Sequence, residues 1–216
     1  MNNQSVNKLK VINDSIENFT SESKPNIICV SKTFPLRALE ALIKSGHYHY
    51  GENKVQEALD KWGKIKLERP ELVLHLIGKL QTNKVKFALK IFDFIHSVDS
   101  KKLANKIYDE QLKQNKKVKI FIQVNLGNEV QKSGVLKNDL NELYLYCVSL
   151  KLNVVGLMCI PPVNLDPDPF FRELNELNKN LSLKDLSIGM SSDYIKAVEN
   201  HATYLRVGSA IFGNRT

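Results

Sequence analysis

Lys32 is the residue of this chain best placed for covalent chemistry. It follows a short apolar run, Ile27-Ile28-Cys29-Val30, and Pro35 then opens a segment carrying Leu36, Leu39 and Ile43 at helical spacing. A lysine where a buried strand hands over to a helix loses solvation, which lowers its amine pKa from about 10.4. The free amine that results is a nucleophile able to form a Schiff base with an aldehyde. The plain alternative is a surface lysine just past a strand end. Two other stretches bear on the choice. Gly189-Met190-Ser191-Ser192 and Gly208-Ser209 each set small residues ahead of a helix start, where N–H groups and hydroxyls can grip a phosphate. Either serine alone reads equally well as a simple helix cap. His75 and His96 fall within strands, where a lone histidine is more often structural than a ligand. The five histidines show no paired His/Cys/Asp spacing, so no metal site is expected. Asn125, Glu129 and Lys132 either line a pocket or cap a loop, and the loop is the simpler reading.

The elements that must position these groups alternate along the chain. Strands are expected at 27–30, 47–50, 72–77, 94–98, 118–124, 154–160, 185–190 and 204–208. Between them run helical stripes: Val55, Ala58, Leu59 and Trp62; 80–91; Leu103, Ile107 and Leu112; Leu140, Leu143, Tyr144, Cys147 and Val148; Phe170, Leu174, Leu177 and Leu181. Leu9, Ile12, Ile16 and Phe19 predict an extra N-terminal helix, so residues 1–24 read as an extension packed on the main body. Near-continuous apolar strands mark a parallel sheet buried on both faces. Eight β/α units without a linker predict an α/β chain folded as one domain over 1–216, a single (β/α)₈ TIM-like barrel with an additional N-terminal helix. An open doubly wound sheet would need several strands misread, and its G-x-G-x-x-G fingerprint is absent.

Composition narrows the function classes. No apolar run approaches a membrane span, the N-terminal segment lacks a signal-peptide core, and three cysteines offer no C-x-x-C pair. A cytoplasmic protein with buried free thiols is expected, with no membrane partner. The net charge of +8 raises nucleic acid as a partner, yet neither lysine cluster, 83–86 or 113–119, is interleaved with aromatics. Solvated faces explain them better, and no nucleic-acid partner is expected.

In a barrel the working face is the carboxyl end of the strands, and phosphate sites favour the loops after the last two. Lys32 and Asn53 follow strands one and two. Met190, Ser191, Gly208 and Ser209 close or follow the last two, and Arg206 lies within the eighth. A Schiff-base lysine facing a phosphate cup is what holding pyridoxal 5′-phosphate requires.

The order of short blocks points the same way. Val30-Ser31-Lys32-Thr33, 50–57 (Tyr50-Gly51-Glu52-Asn53 onward), 75–84, 95–100, 156–162, 186–191 and 206–213 resemble, in sequence order, the signature blocks of the pyridoxal phosphate homeostasis protein family. That family is similar in fold to the alanine racemase N-terminal barrel. The resemblance implies that Lys32 carries the cofactor as a Schiff base with Asn53 beside the ring. It also implies that Met190, Ser191, Gly208 and Ser209 hold the phosphate and that Arg206 faces the pyridine nitrogen. Departures from the family pattern are Phe34, Lys79, Ser209 in place of the usual Thr, and a shortened 162–170 connection. The resemblance implies a monomeric carrier that serves cofactor homeostasis and delivers to apo-enzymes, with no catalytic or metal-ligating residue. The alternative is a racemase or decarboxylase of the alanine racemase type. It is disfavoured because the barrel uses the whole sequence and leaves nothing for a second, substrate-facing domain.

Overall fold

The computed structural model describes residues 4–19 and 24–213. Within them eight parallel strands, β1 (Asn26–Val30), β2 (His49–Glu52), β3 (Val73–Leu76), β4 (Phe94–Val98), β5 (Lys119–Gln123), β6 (Asn153–Met158), β7 (Asp185–Ser187) and β8 (Tyr204–Val207), close in sequence order into a barrel. Closure is a β1–β8 pairing in which Asn26 faces Tyr204 and Cys29 faces Val207. Val30 likewise faces Gly51 on β2, so the strand ends that carry Lys32, Asn53 and Gly208 meet at one mouth.

Every strand is followed by helix: α2 (Glu40–Lys44), α3 (Val55–Glu68), α4 (Val85–Ile91), α5 (Lys101–Gln114), α6 (Leu140–Ser149), α7 (Asp168–Asn180), α8 (Tyr194–Glu199) and α9 (Ser209–Phe212). Short 3₁₀ turns precede α2, α4 and α6. The preceding α1 (Gln4–Glu17) buries Leu9, Ile12 and Ile16 and packs on α2, α8 and α9. The rest of the expected 1–24 extension, residues 1–3 and 20–23, lies outside the described residues.

Two cores result. The larger lies between strands and helices; the smaller, inside the barrel, gathers Ile28, Phe94, Phe121, Met158 and Tyr204. The period of two places 94 and 96 of β4, and 204 and 206 of β8, toward the barrel axis. No helix among the described residues is long and apolar enough to cross a membrane.

Several sequence expectations shift in detail. Phe19 falls beyond α1 and is 49% exposed, and Leu112 and Val148 face solvent because each lies one position past a buried residue, Gln111 and Cys147, and so is turned off the buried face of its helix. Phe171, not Phe170, is the core residue of α7. β7 stops at Ser187, since Gly189 turns the chain at φ +84. Backbone pairing still reaches that turn through the Arg206 N–H to the Gly189 carbonyl, 2.9 Å.

Candidate functional site

At the carboxyl mouth of the barrel lies a cavity of about 520 Å³, the size usual for a small-molecule site. Lys32, Asn53, Met190, Ser191, Arg206, Gly208 and Ser209, all seven of the expected site residues, line it. The topology explains the convergence, since each sits at or just beyond a strand end on the same face of a closed parallel sheet. Apolar walls come from Val30, Phe34, Ile77 and Ile160. Phe34 leans on Phe212 with ring centroids 4.9 Å apart, so the departure from a polar residue there adds an aromatic edge to the rim.

The turn after β7 and the turn after β8 are tied together. The Ser191 hydroxyl oxygen accepts the Gly208 and Ala210 N–H groups, each at 3.2 Å, and keeps its own proton to donate. The Asp193 carboxylate accepts the Met190 N–H at 2.5 Å. Ser191 therefore fixes the spacing of the two turns, and Met190 borders the cavity with its N–H already engaged.

Arg206 is the buried charge of the site, 5% exposed. Its guanidinium donates to the Ser187 carbonyl (2.7 Å), the Ser187 hydroxyl (2.8 Å) and the Cys159 carbonyl (2.9 Å). These partners among the described residues are two carbonyls and a hydroxyl, not a carboxylate. Burial lowers its pKa, opposed by the nearby Cys159 and Asp193. A guanidinium held this way beside a cavity suits an acceptor atom of a ligand.

From Arg206 a file of imidazoles descends through the barrel. The Ser187 hydroxyl meets His96 Nδ1, His96 Nε2 meets His75 Nδ1, and His75 Nε2 meets His49 Nδ1, each contact 2.9 Å. A guanidinium only donates, so Ser187 accepts from it and gives its proton to His96. That choice sets each ring as the Nε2–H tautomer, and every proton in the file points away from Arg206. Burial pushes His75 and His96 well below the ordinary histidine value; it brings partly buried His49 down to about 4, helped by His47 and Lys119 and opposed by Asp93. Neutral rings stack on the inner core, His75 on Phe94 at 4.5 Å and His96 on Phe121 at 4.3 Å. The expectation of structural strand histidines thus holds for His75 and His96, as members of a continuous file.

Sequence reasoning missed this file, and with it Ser187 and His49. The available signal was the period of two, which puts His47 and His49 on one side of a strand just ahead of two further strand histidines. Asn125 was rightly read as a loop cap: its side chain bonds both the N–H and the carbonyl of Glu129, and Lys132 pairs with Glu129. None of the three lines the cavity.

A closed parallel barrel with a lysine, an arginine and two small-residue turns at its carboxyl mouth defines a class, and residues 10–216 match the alanine racemase N-terminal domain family. Among relatives, the pyridoxal phosphate homeostasis protein of Aquifex aeolicus is 40% identical over 204 residues, covering 90% of this chain and 89% of that one. The Escherichia coli K12 protein of the same name is 32% identical over 209 residues, at 90% and 88% coverage. PipY of Synechococcus elongatus, solved with pyridoxal phosphate bound, superposes with a TM-score of 0.88 at 32% identity, covering 97% of this chain and all of that one. The chain belongs to the pyridoxal phosphate homeostasis protein family.

Proposed function

We propose that this protein binds pyridoxal 5′-phosphate at the carboxyl mouth of its barrel and serves the intracellular homeostasis of that cofactor without substantial catalysis. The observation that carries the reading is the convergence of Lys32, Arg206 and the two small-residue turns on one cavity of suitable size. The residues present fit the group chemically: an amine for an aldehyde, hydroxyls and backbone N–H groups for a phosphate, and a buried cation bonded among the described residues to two carbonyls and a hydroxyl for a ring nitrogen.

The cofactor, when bound, supplies an aldehyde and an electron-withdrawing ring. Lys32 lines the cavity and would supply the amine for that aldehyde. Ser191, Gly208 and Ser209 would hold the phosphate, Ser191 and Ser209 through their hydroxyls and Gly208 by letting the chain approach closely while its N–H is engaged by Ser191; Met190 would shape that turn, and Asn53 would lie beside the ring. Arg206 would donate to the pyridine nitrogen and, as a cation, would disfavour its protonation. An unprotonated ring is a poor electron sink, so the residue that holds the cofactor also restrains its chemistry. This favours a carrier over the racemase or decarboxylase alternative. Three buried free thiols accord with a reducing, cytoplasmic setting. A monomer that delivers the cofactor to apo-enzymes completes the reading.

Titration of the protein with pyridoxal 5′-phosphate and with phosphate-free pyridoxal, followed by visible absorbance, tests it. Two hydrogen bonds to a charged phosphate, at about 1.5 kcal/mol or more each, give the phosphorylated form an advantage of about a hundredfold or more. Equal affinity for the two removes the phosphate cup, and no absorbance change with either removes the Schiff base.

A further inference from the structure

The turn that presents Lys32 is strained and is held from outside the cavity. It runs from Ser31 to Phe34 and is closed by the Phe34 N–H on the Ser31 carbonyl at 3.1 Å. Thr33 sits in it at φ +68, a left-handed conformation that a β-branched residue rarely adopts. Such a conformation persists only where surrounding groups over-determine it.

Those groups come from α3. The Glu57 carboxylate accepts the Thr33 N–H, on the far side of Lys32 from the strand. Lys61, one helical turn on, donates its Nζ to the Ser31 carbonyl at 2.8 Å, on the near side. Lys61 also bridges Glu57 (3.2 Å) and the fully buried Glu52 (2.9 Å), and Glu52 in turn accepts the Ser31 hydroxyl at 2.7 Å and the Trp62 indole N–H at 2.9 Å. The second carboxylate oxygen of Glu52 is buried with no partner among the described residues. Burying a lysine–glutamate pair with one oxygen unmatched is a poor route to stability. Its geometry fits another purpose, because the polar ends of the network fall on the two peptide units flanking Lys32. Partial burial pushes the Glu57 pKa up, but the Thr33 and Lys61 hydrogen bonds and the Lys61 and Lys54 charges outweigh it and hold it below its ordinary value, so it stays an acceptor.

We propose that Glu57 and Lys61 are positioning residues that clamp the backbone on both sides of Lys32 and aim its amine at the aldehyde carbon of the bound cofactor. The clamp touches neither the phosphate turns nor Arg206, so it governs formation of the covalent link and leaves non-covalent capture alone. This inference rests on the functional reading above and assigns the residues that make its lysine effective.

A pair of ligands separates the two effects: pyridoxal 5′-phosphate, and pyridoxine 5′-phosphate, which carries an alcohol in place of the aldehyde and cannot form a Schiff base. Glu57 is on the surface side of α3, so Glu57→Ala is expected to fold. It should weaken pyridoxal 5′-phosphate about tenfold or more while pyridoxine 5′-phosphate stays within about twofold. Glu57→Gln keeps an oxygen for the Thr33 N–H and should recover most of the loss. Lys61→Met combined with Glu52→Gln removes the buried pair together and should show the same selectivity. Equal loss of both ligands in Glu57→Ala, or no loss of either, overturns the clamp. Wild-type protein that binds neither ligand overturns the functional reading and the clamp with it. Wild-type protein that binds both ligands equally, with no change in visible absorbance, overturns the lysine's covalent role and leaves the phosphate cup standing.

Discussion

Replacing Ser187 with alanine deletes the oxygen that joins Arg206 to the histidine file. The wild-type hydroxyl accepts from the guanidinium at 2.8 Å and donates to His96 Nδ1 at 2.9 Å, both in a fully buried setting. A hydrogen bond to a charged group is worth about 1.5–3 kcal/mol, and an orphaned buried acceptor costs about 1–3 kcal/mol. The guanidinium nitrogen keeps the Ser187 carbonyl at 2.7 Å, which softens the first loss. The expected net cost is about 2–4 kcal/mol. Urea unfolding of wild type, Ser187→Ala, His96→Phe and the double variant measures it as a cycle. Phenylalanine can keep the stacking of His96 on Phe121, so the double variant removes both polar partners without opening much space. It should cost less than the sum of the singles by about 1–2 kcal/mol. A Ser187→Ala cost below about 0.5 kcal/mol, or strict additivity, refutes the one-way file.

Other outcomes follow from the same contacts. Because folding lowers the pKa of His49 from 6.5 to about 4 and lowers those of His75 and His96, the unfolded chain binds more protons in that window. Stability should therefore rise with pH between about 4 and 6.5, and His49→Asn should show a shallower slope in urea midpoints; an unchanged slope contradicts it. Gly156→Ala would set a Cβ 1.7 Å from the Asp185 carbonyl oxygen, and should cost about 3 kcal/mol or more in thermal or urea unfolding. Gly63→Ala, inside α3 with nothing within 4 Å of the new carbon, should instead stabilise by about 0.5–1 kcal/mol. Racemase, decarboxylase and transaminase assays on common amino acids should read near background. Sustained turnover at about 1 s⁻¹ contradicts the carrier reading. Arg206→Glu, where it still binds the cofactor, should raise any trace activity by favouring the protonated ring.

The barrel was legible because its strands are buried on both faces and so appear as apolar runs, while Pro35, Gly46, Gly78 and Asn53 punctuate them. Site positions were legible for a related reason: in a parallel barrel, a place just after a strand end fixes a place in space. What lay hidden depends on which side chains meet across strands far apart in sequence. Ser187 and His96 are 91 positions apart and touch only because β4 and β7 share the barrel interior. Lys61 reads as one more surface lysine of α3, and only the packing of α3 against β2 brings it to the Ser31 carbonyl. The exposure of Leu112 and Val148 has a simpler cause: an apolar residue one position after a buried Gln111 or Cys147 is turned about 100° off the core-facing stripe, whatever its hydrophobicity.

The central claim is that Lys32 is the amine that carries the cofactor. Borohydride reduction of the protein loaded with pyridoxal 5′-phosphate, followed by peptide mapping, tests it most directly, because reduction turns the C=N link into a stable amine. One modified peptide is expected, containing Lys32, with loss of the label in Lys32→Ala and the fold intact. A label on another lysine in wild type, or equal labelling at a new lysine in Lys32→Ala with unchanged affinity, contradicts it.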